Sequence, residues 1–217
     1  MTPVDITCNR TGLPAPRGRR IGLYGGSFNP AHIGHLKVSR AAIHAMGLDQ
    51  VWWLVTPGNP LKEAPGAGLM DRIANAQALI KKDPCIAVTG AEMILNTRFT
   101  VDTIKALRRL FPNVNFVWIM GADNLIQFPQ WRCWQEITRS LPIAVFSRPT
   151  YSYKALSGRA AQLMAFWQVN RYQMRRLSQI QPPAWGFFWL TSDRMSSTAL
   201  RQAEKNVIET QRCSWRY

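Results

Sequence analysis

Two histidines three residues apart, His32 and His35, close a glycine-rich segment near the start of the chain. Residues 22–36 read Gly-Leu-Tyr-Gly-Gly-Ser-Phe-Asn-Pro-Ala-His-Ile-Gly-His-Leu. On a helix, residues three apart share a face, so both imidazoles can reach one ligand. Gly25 and Gly26 permit backbone conformations that side chains forbid, and the free N–H groups of a following helix attract an anion. The segment therefore predicts a phosphate site.

Two other interpretations of this histidine pair stay open. His32 and His35 could bind a metal ion or cap a helix. The residue after His32 is Ile33, whereas the HExxH zinc motif has Glu there, and the sequence offers no obvious third ligand. The four cysteines lie far apart, without a CxxC pair, at Cys8, Cys85, Cys133 and Cys213. Contact with a nucleotide is favoured, and no dedicated protein metal site is predicted.

The histidines need a strand before them and a helix after them, and the chain supplies such an alternation. Strands are predicted at 20–24, 51–55, 86–89, 115–120, 143–146 and 185–190, and helices at 71–82, 101–110 and 158–176, besides the helix that carries Leu36 and Met46. Repeated βα units indicate a single Rossmann-like α/β domain with a doubly wound parallel sheet. Ligands bind beyond the carboxyl ends of such strands, where Gly25, Gly121 and Arg148 emerge. Residues 1–18 are predicted to be a flexible extension of the domain at 19–217.

Charge and cysteine usage limit the class of partner. Lys and Arg number 27 against 12 Asp and Glu, giving a net charge of +15, and no acidic residue lies between Ile137 and Ser192. This basic stretch, Arg139 to Arg176, is either a solvated face or the RNA-binding surface of a basic protein, although it lacks an interleaved aromatic and basic motif. Reduced thiols, no leader and no long apolar segment favour a cytoplasmic protein that does not enter membranes.

Five motifs in order resemble one family. His32-Ile33-Gly34-His35 resembles the HxGH signature of the nucleotidylyltransferase superfamily. It is followed by Lys62 after Thr-Pro-Gly-Asn-Pro-Leu, by Arg-Phe-Thr-Val-Asp-Thr-Ile at 98–104, by Gly-Ala-Asp-Asn-Leu at 121–125 ahead of Trp131 and Trp134, and by Met-Ser-Ser-Thr-Ala-Leu-Arg at 195–201. Together they resemble the bacterial nicotinate-nucleotide adenylyltransferases, which make deamido-NAD and pyrophosphate from ATP and nicotinate mononucleotide in NAD biosynthesis.

The resemblance implies a role for each motif. The catalytic residues are His32, His35 and Arg201. ATP contacts fall on Gly25, Gly26, Ser27, His35, Lys62, Arg148, Ser196, Ser197, Thr198 and Arg201. Mononucleotide contacts fall on Gly25, Ser27, Phe28, Thr100, Asp123 and Trp131, with Trp131 stacked on the pyridine ring and Asp123 on ribose hydroxyls. Ser196 to Thr198 could instead be an ordinary helix cap, Trp131 packing, and Arg148 a solvated charge, whereas Trp134 is expected to be structural.

The expected reaction needs alignment and charge stabilisation more than a base. The attacking phosphate is already ionised at neutral pH, so donors must hold the α-phosphate and the leaving pyrophosphate, with Mg²⁺ carried by the phosphates of ATP. Ser27 and Asn29 replace the Thr and Asp of many relatives, Phe99 replaces Tyr, and Leu61 replaces His. Phe99 removes a hydroxyl and Leu61 removes a hydrogen-bond donor, so these two departures bear on mononucleotide binding. Nicotinamide mononucleotide or pantetheine phosphate are alternative acceptors, nucleic acid is disfavoured, and a homo-oligomer is left open.

Overall fold

A computed structural model of the chain describes residues 12–58, 68–81, 83–148 and 150–190. Within them a six-stranded sheet has the order β3-β2-β1-β4-β5-β6, and every neighbouring pair is parallel. The strands are β1 (Arg20–Gly26), β2 (Gln50–Val55), β3 (Ile86–Thr89), β4 (Asn115–Gly121), β5 (Ile143–Phe146) and β6 (Trp185–Phe188). All six follow the apolar runs in the sequence, so the predicted parallel α/β sheet is confirmed.

Eight α-helices and three short 3-10 turns connect the strands in the described residues. The helices are α1 (Ile33–Met46), α2 (Leu69–Ile80), α3 (Ala91–Ile94), α4 (Thr100–Leu110), α5 (Ala122–Gln127), α6 (Trp134–Ser140), α7 (Ser152–Leu156) and α8 (Arg159–Leu163), and the 3-10 turns are Phe128–Gln130, Ala165–Trp167 and Met174–Gln179. None of the helices in this part of the chain is long and apolar enough to cross a lipid bilayer.

Two apolar layers cover the two faces of the sheet. One contains the buried sides of α1 and α2, and the other contains residues from α3 to α8. Side chains alternate between the layers along β1, with Leu23 in one and Tyr24 in the other. Burial of whole apolar strands on both faces is typical of a parallel sheet.

The predicted helix at 158–176 is wrong. The chain forms α8, leaves helical geometry after a 3-10 turn, and runs beside β6, where the Val169 N–H donates to the Trp185 carbonyl at 2.8 Å. The Trp185 indole N–H also donates to the Met164 carbonyl at 2.8 Å, which occupies a carbonyl that a continuing helix would need. Contacts with a distant strand therefore override the local helical pattern.

The predicted division at residue 18 stays a prediction. Leu13, inside the predicted extension, is fully buried in the layer that contains α3 to α8. Ile21 and Leu23 of β1 belong to the same layer. The described part of the extension thus contributes Leu13 to the core.

Candidate active site

The order in which the strands are added reverses between β1 and β4. β1 pairs with β2 on one side and with β4 on the other, and from this pair the strand order runs outward both ways. In open parallel sheets a crevice forms at such a switch point, beyond the carboxyl ends of the strands. Gly26 and Gly121 end β1 and β4 at this edge.

His32 and His35 lie at the N-terminus of α1, which follows β1. His32 is the N-cap residue, and its Nδ1 accepts the Gly34 N–H at 3.0 Å, while the His32 backbone N–H donates to Nδ1 of His35 at 3.1 Å. The two ring centres are 3.9 Å apart. Because each Nδ1 accepts, each neutral ring carries its hydrogen on Nε2. The His32 Nε2 is buried and has no partner among the described residues.

Burial keeps both imidazoles neutral. Desolvation, together with a smaller contribution from the Arg148 charge, lowers the pKa of His32 to about 4. Desolvation likewise holds the pKa of His35 well below 6.5, with the His32 and Arg148 charges contributing. Near pH 7 the unliganded pair therefore offers two N–H donors rather than two cations.

The ring of His35 is fixed by a small buried cluster. It packs against Phe28, with ring centres 4.7 Å apart, and against Trp53, at 5.9 Å. Ser39, one turn later on α1, donates to the His35 carbonyl and accepts the Trp53 indole N–H at 2.7 Å. Of the two open alternatives, helix capping is observed, because the His32 side chain and His35 form a capping box at the start of α1.

The glycines serve packing rather than unusual backbone angles. The expectation that Gly25 and Gly26 use conformations forbidden to side chains is wrong, because neither glycine has a positive φ. In this turn it is Phe28 that lies in the left-handed region, with φ of +44°. A Cβ on Gly25 would lie 2.6 Å from the Trp118 ring, and one on Gly26 would lie 3.2 Å from Phe28. Gly25 is therefore required by a neighbouring indole.

Contacts of Phe28 and Ser27 hold the turn in place. The Phe28 ring is buried and stacks on Trp53, with ring centres 4.9 Å apart. The Ser27 carbonyl accepts from Arg72 Nη1 at 2.6 Å, and the same guanidinium donates to the Thr56 and Pro57 carbonyls. Sequence reasoning missed Arg72, although a buried Arg on the apolar side of α2 was a usable signal.

Asp123 and Arg148 come together at the end of β4. Arg148 Nε lies 3.4 Å from Asp123 Oδ1, and a Cβ on Gly121 would collide with Asp123 Oδ1. Burial raises the pKa of Tyr24, whereas the nearby Arg148 guanidinium opposes that rise. The sequence predicts Asp123 and Arg148 as separate ligand contacts, and neither their pairing nor the proximity of Tyr24 was foreseen.

Trp131 and Thr100 form another part of the same edge. Trp131 is half-buried and meets Trp118 edge-on, with ring centres 6.1 Å apart. Thr100 is the first residue of α4 and is half-buried. Trp134 is buried in the core, which matches the structural role expected of it. The remaining predicted contacts lie outside the described residues: Lys62, Ser196, Ser197, Thr198 and Arg201.

Comparison with known proteins identifies the family. The cytidylyltransferase-like family model matches residues 23–203. A probable nicotinate-nucleotide adenylyltransferase of Methylorubrum extorquens is 51% identical over 183 residues, covering 84% of this chain and 98% of the relative. The chain belongs to the nicotinate-nucleotide adenylyltransferase family. A family member from Ruegeria pomeroyi is 45% identical over 195 residues, covering 89% and 91% of the two chains.

Solved structures agree on the fold of this adenylyltransferase family. The nicotinic acid mononucleotide adenylyltransferase of Plasmodium falciparum, complexed with NaAD, matches with a TM-score of 0.62 and 16% identity, over 85% of this chain and 83% of that one. The same protein complexed with APC matches with a TM-score of 0.61. At this identity the likeness shows the fold alone.

Family membership confirms the predicted enzyme class. The chain is an ATP-dependent nucleotidyltransferase of NAD biosynthesis, an adenylyltransferase for nicotinate mononucleotide. RNA binding is thereby displaced as the primary function. The roles of the individual site residues stay predictions.

Proposed function

We propose that the edge between β1 and β4 is where AMP passes from ATP to nicotinate mononucleotide. The observation that carries this assignment is the pair of buried imidazoles at the N-terminus of α1, both neutral and both with the hydrogen on Nε2. Two fixed donors beside a helix N-terminus suit a phosphate whose charge grows during the reaction.

The proposed step is an in-line displacement. The mononucleotide phosphate attacks the α-phosphorus of ATP, the bond to the β-phosphate oxygen breaks, and pyrophosphate leaves with inversion at the α-phosphate. Each Nε2–H of His32 and His35 donates to oxygens of the α-phosphate. No side chain has to remove a proton, because the attacking phosphate is already ionised near pH 7.

The two substrates occupy different parts of the edge in this proposal. On the mononucleotide side, Trp131 stacks on the pyridine ring, Asp123 accepts from ribose hydroxyls, and Thr100 contacts the nicotinate end. The ATP side uses Arg148 together with Lys62, Arg201 and the hydroxyls at 196–198. The backbone of residues 25–28 lies between the two substrates.

Mg²⁺ fits this site as a companion of ATP. Asp123, a carboxylate at this edge, is paired with Arg148, and the triphosphate of ATP itself offers oxygen ligands. Mg²⁺ would therefore be held by phosphate oxygens and water, where it neutralises charge on the triphosphate. A cytoplasmic location and the oligomeric state stay predictions.

A paired assay tests the acceptor. The purified protein is given ATP with either nicotinate or nicotinamide mononucleotide, and pyrophosphate release is measured over a range of concentrations. We expect the larger kcat/KM with nicotinate mononucleotide. Equal rates with both acceptors would overturn the choice of substrate, and rates with neither would overturn the proposed reaction.

A further inference from the structure

Two arginines enclose the ring of Phe99, directly before α4. The guanidinium carbon of Arg132 lies 4.5 Å from the Phe99 ring centre, and that of Arg98 lies 5.7 Å away. Phe99 is half-buried and packs against the core, so its ring is a fixed surface. A guanidinium over an aromatic face is held by the ring quadrupole, and this restrains the exposed Arg132.

The charge of Arg132 is left available for a ligand. Among the described residues Arg132 makes no ion pair and no hydrogen bond, and its contact is with the Phe99 ring. The two nearby carboxylates face Lys105 instead: Glu136 Oε1 lies 2.7 Å from Lys105 Nζ, and Asp102 also interacts with that ammonium group.

Arg132 lies next to residues that are predicted to bind the pyridine ring. Trp131 precedes it in sequence, and Phe99, which holds its guanidinium, precedes Thr100. Phe99 is the N-cap residue of α4, and its side chain cannot accept a hydrogen bond. The first N–H groups of this helix therefore have no side-chain acceptor at the cap. This part of the edge therefore presents donors and positive charge.

Trp118, which packs against Trp131, carries a second donor in this region. Trp118 is 3% exposed, and its Nε1–H has no partner in the described part of the chain. Its indole lies against both Gly25 and Trp131. A buried donor without an acceptor is energetically costly, and an acceptor on a bound molecule can recover that cost.

We propose that Arg132 is a specificity-determining residue, whose guanidinium on the Phe99 ring binds the ring carboxylate of nicotinate mononucleotide. This inference rests on the proposed function. A carboxylate offers two acceptor oxygens to the planar guanidinium and carries full negative charge. The amide of nicotinamide offers one acceptor, and its NH₂ group would face a cation. Arg132 therefore favours the acid over the amide.

The test compares Arg132→Gln with wild type on both mononucleotides. Glutamine keeps a polar, extended side chain and removes the charge. We expect kcat/KM for nicotinate mononucleotide to fall about ten- to hundredfold, mainly through KM, with little change for nicotinamide mononucleotide. Arg132→Lys should recover part of the preference, because it restores charge without the bidentate geometry.

Two further variants make the result specific. Arg139→Gln removes another exposed arginine, on α6, and should leave the ratio of the two kcat/KM values unchanged. Phe99→Leu keeps an apolar core contact but removes the aromatic face, so it should lower the ratio by a smaller factor than Arg132→Gln. Thermal unfolding of each variant checks that the fold is retained.

The outcomes separate the two proposals. An active wild type whose preference is the same in Arg132→Gln overturns the role of Arg132 and leaves the proposed function standing. A wild type that releases no pyrophosphate with nicotinate mononucleotide overturns the proposed function, and the role of Arg132 with it.

Discussion

The ring of His35 is in place before any substrate arrives, because His32, Phe28 and Trp53 already contact it. A donor that needs no reorganisation stabilises charge most effectively in the transition state. We expect His35→Ala to lower kcat by about 10²–10³-fold while the KM for mononucleotide changes far less. Steady-state kinetics with both substrates varied provide the measurement.

A third histidine on the same helix is the matched control for His35. His44 lies exposed in the last turn of α1, away from the carboxyl edge of the sheet. His44→Ala should therefore retain wild-type kcat. Near-normal kcat in His35→Ala would remove His35 from the mechanism.

His32 also links the site to pH-dependent stability. Its pKa is about 4 in the folded protein and near 6.5 in the unfolded chain, so the unfolded chain takes up the proton first as pH falls. The stabilisation from neutral His32 is therefore complete above pH 6.5 and is lost progressively from pH 6.5 to 4. We expect His32→Asn, which keeps an acceptor at the N-cap without titrating, to lose less free energy of unfolding over this range.

Urea unfolding at pH 7.5, 5.5 and 4.5 measures this difference. The carboxylates of the protein and His35 titrate in both wild type and variant, so the difference between the two reports His32 together with its effect on His35. An identical loss of stability in the two proteins would show that His32 is not held neutral by the fold.

The places of the motif residues in the fold could be predicted from the sequence, but the residues that they contact could not. His32, His35, Asp123 and Trp131 all lie at the expected edge, because each follows or begins an element whose type was readable from its pattern. The Asp123–Arg148 pair and the Arg132–Phe99 contact each join elements that are remote in sequence. Only the tertiary fold brings such groups together.

At the scale of elements, β1 and β4 fit closely because Gly25 leaves room for Trp118. A Cβ at position 25 would lie 2.6 and 2.7 Å from Cη2 and Cζ2 of the indole. We expect Gly25→Ala to reduce the free energy of unfolding by about 1–3 kcal/mol, since overpacking forces side chains from their preferred positions. Chemical denaturation measures the change.

A double-mutant cycle with Trp118→Phe tests the cause. Phenylalanine lacks the two indole atoms that would clash, so Gly25→Ala should cost less in the Trp118→Phe background than in wild type. Additive costs would mean that the glycine is needed for a reason other than the indole.

The same scale shows why one element was mispredicted. Strands such as β3 and β5 are continuous apolar runs buried on both faces, and such runs are readable without knowledge of their partners. The segment 158–176 has a helical pattern, yet Val169 and Met164 bond to Trp185, and that contact forms only when the sheet is assembled. A local sequence pattern predicts an element correctly where tertiary packing agrees with it. It fails where a contact with a distant residue competes.

At the scale of the whole molecule, a net charge of +15 acts on two anionic substrates. A positive field raises the encounter rate of anions, and salt screens it over a Debye length of about 8 Å at physiological ionic strength. We expect kcat/KM for both substrates to fall as NaCl is raised from 50 to 500 mM, on the order of tenfold, with kcat nearly constant. Progress curves at subsaturating and saturating substrate separate the two constants.

Variants at exposed arginines separate long-range steering from contacts within the site. Arg175 and Arg176 are exposed and belong to the basic stretch. Replacing both by Gln should reduce the salt dependence of kcat/KM, and replacing both by Glu should reduce it further, because the effect follows net charge. Neither pair should change kcat. If both double variants kept the wild-type salt dependence, salt would be weakening contacts at the site itself, and the net charge of the protein would have no part in capturing the substrates.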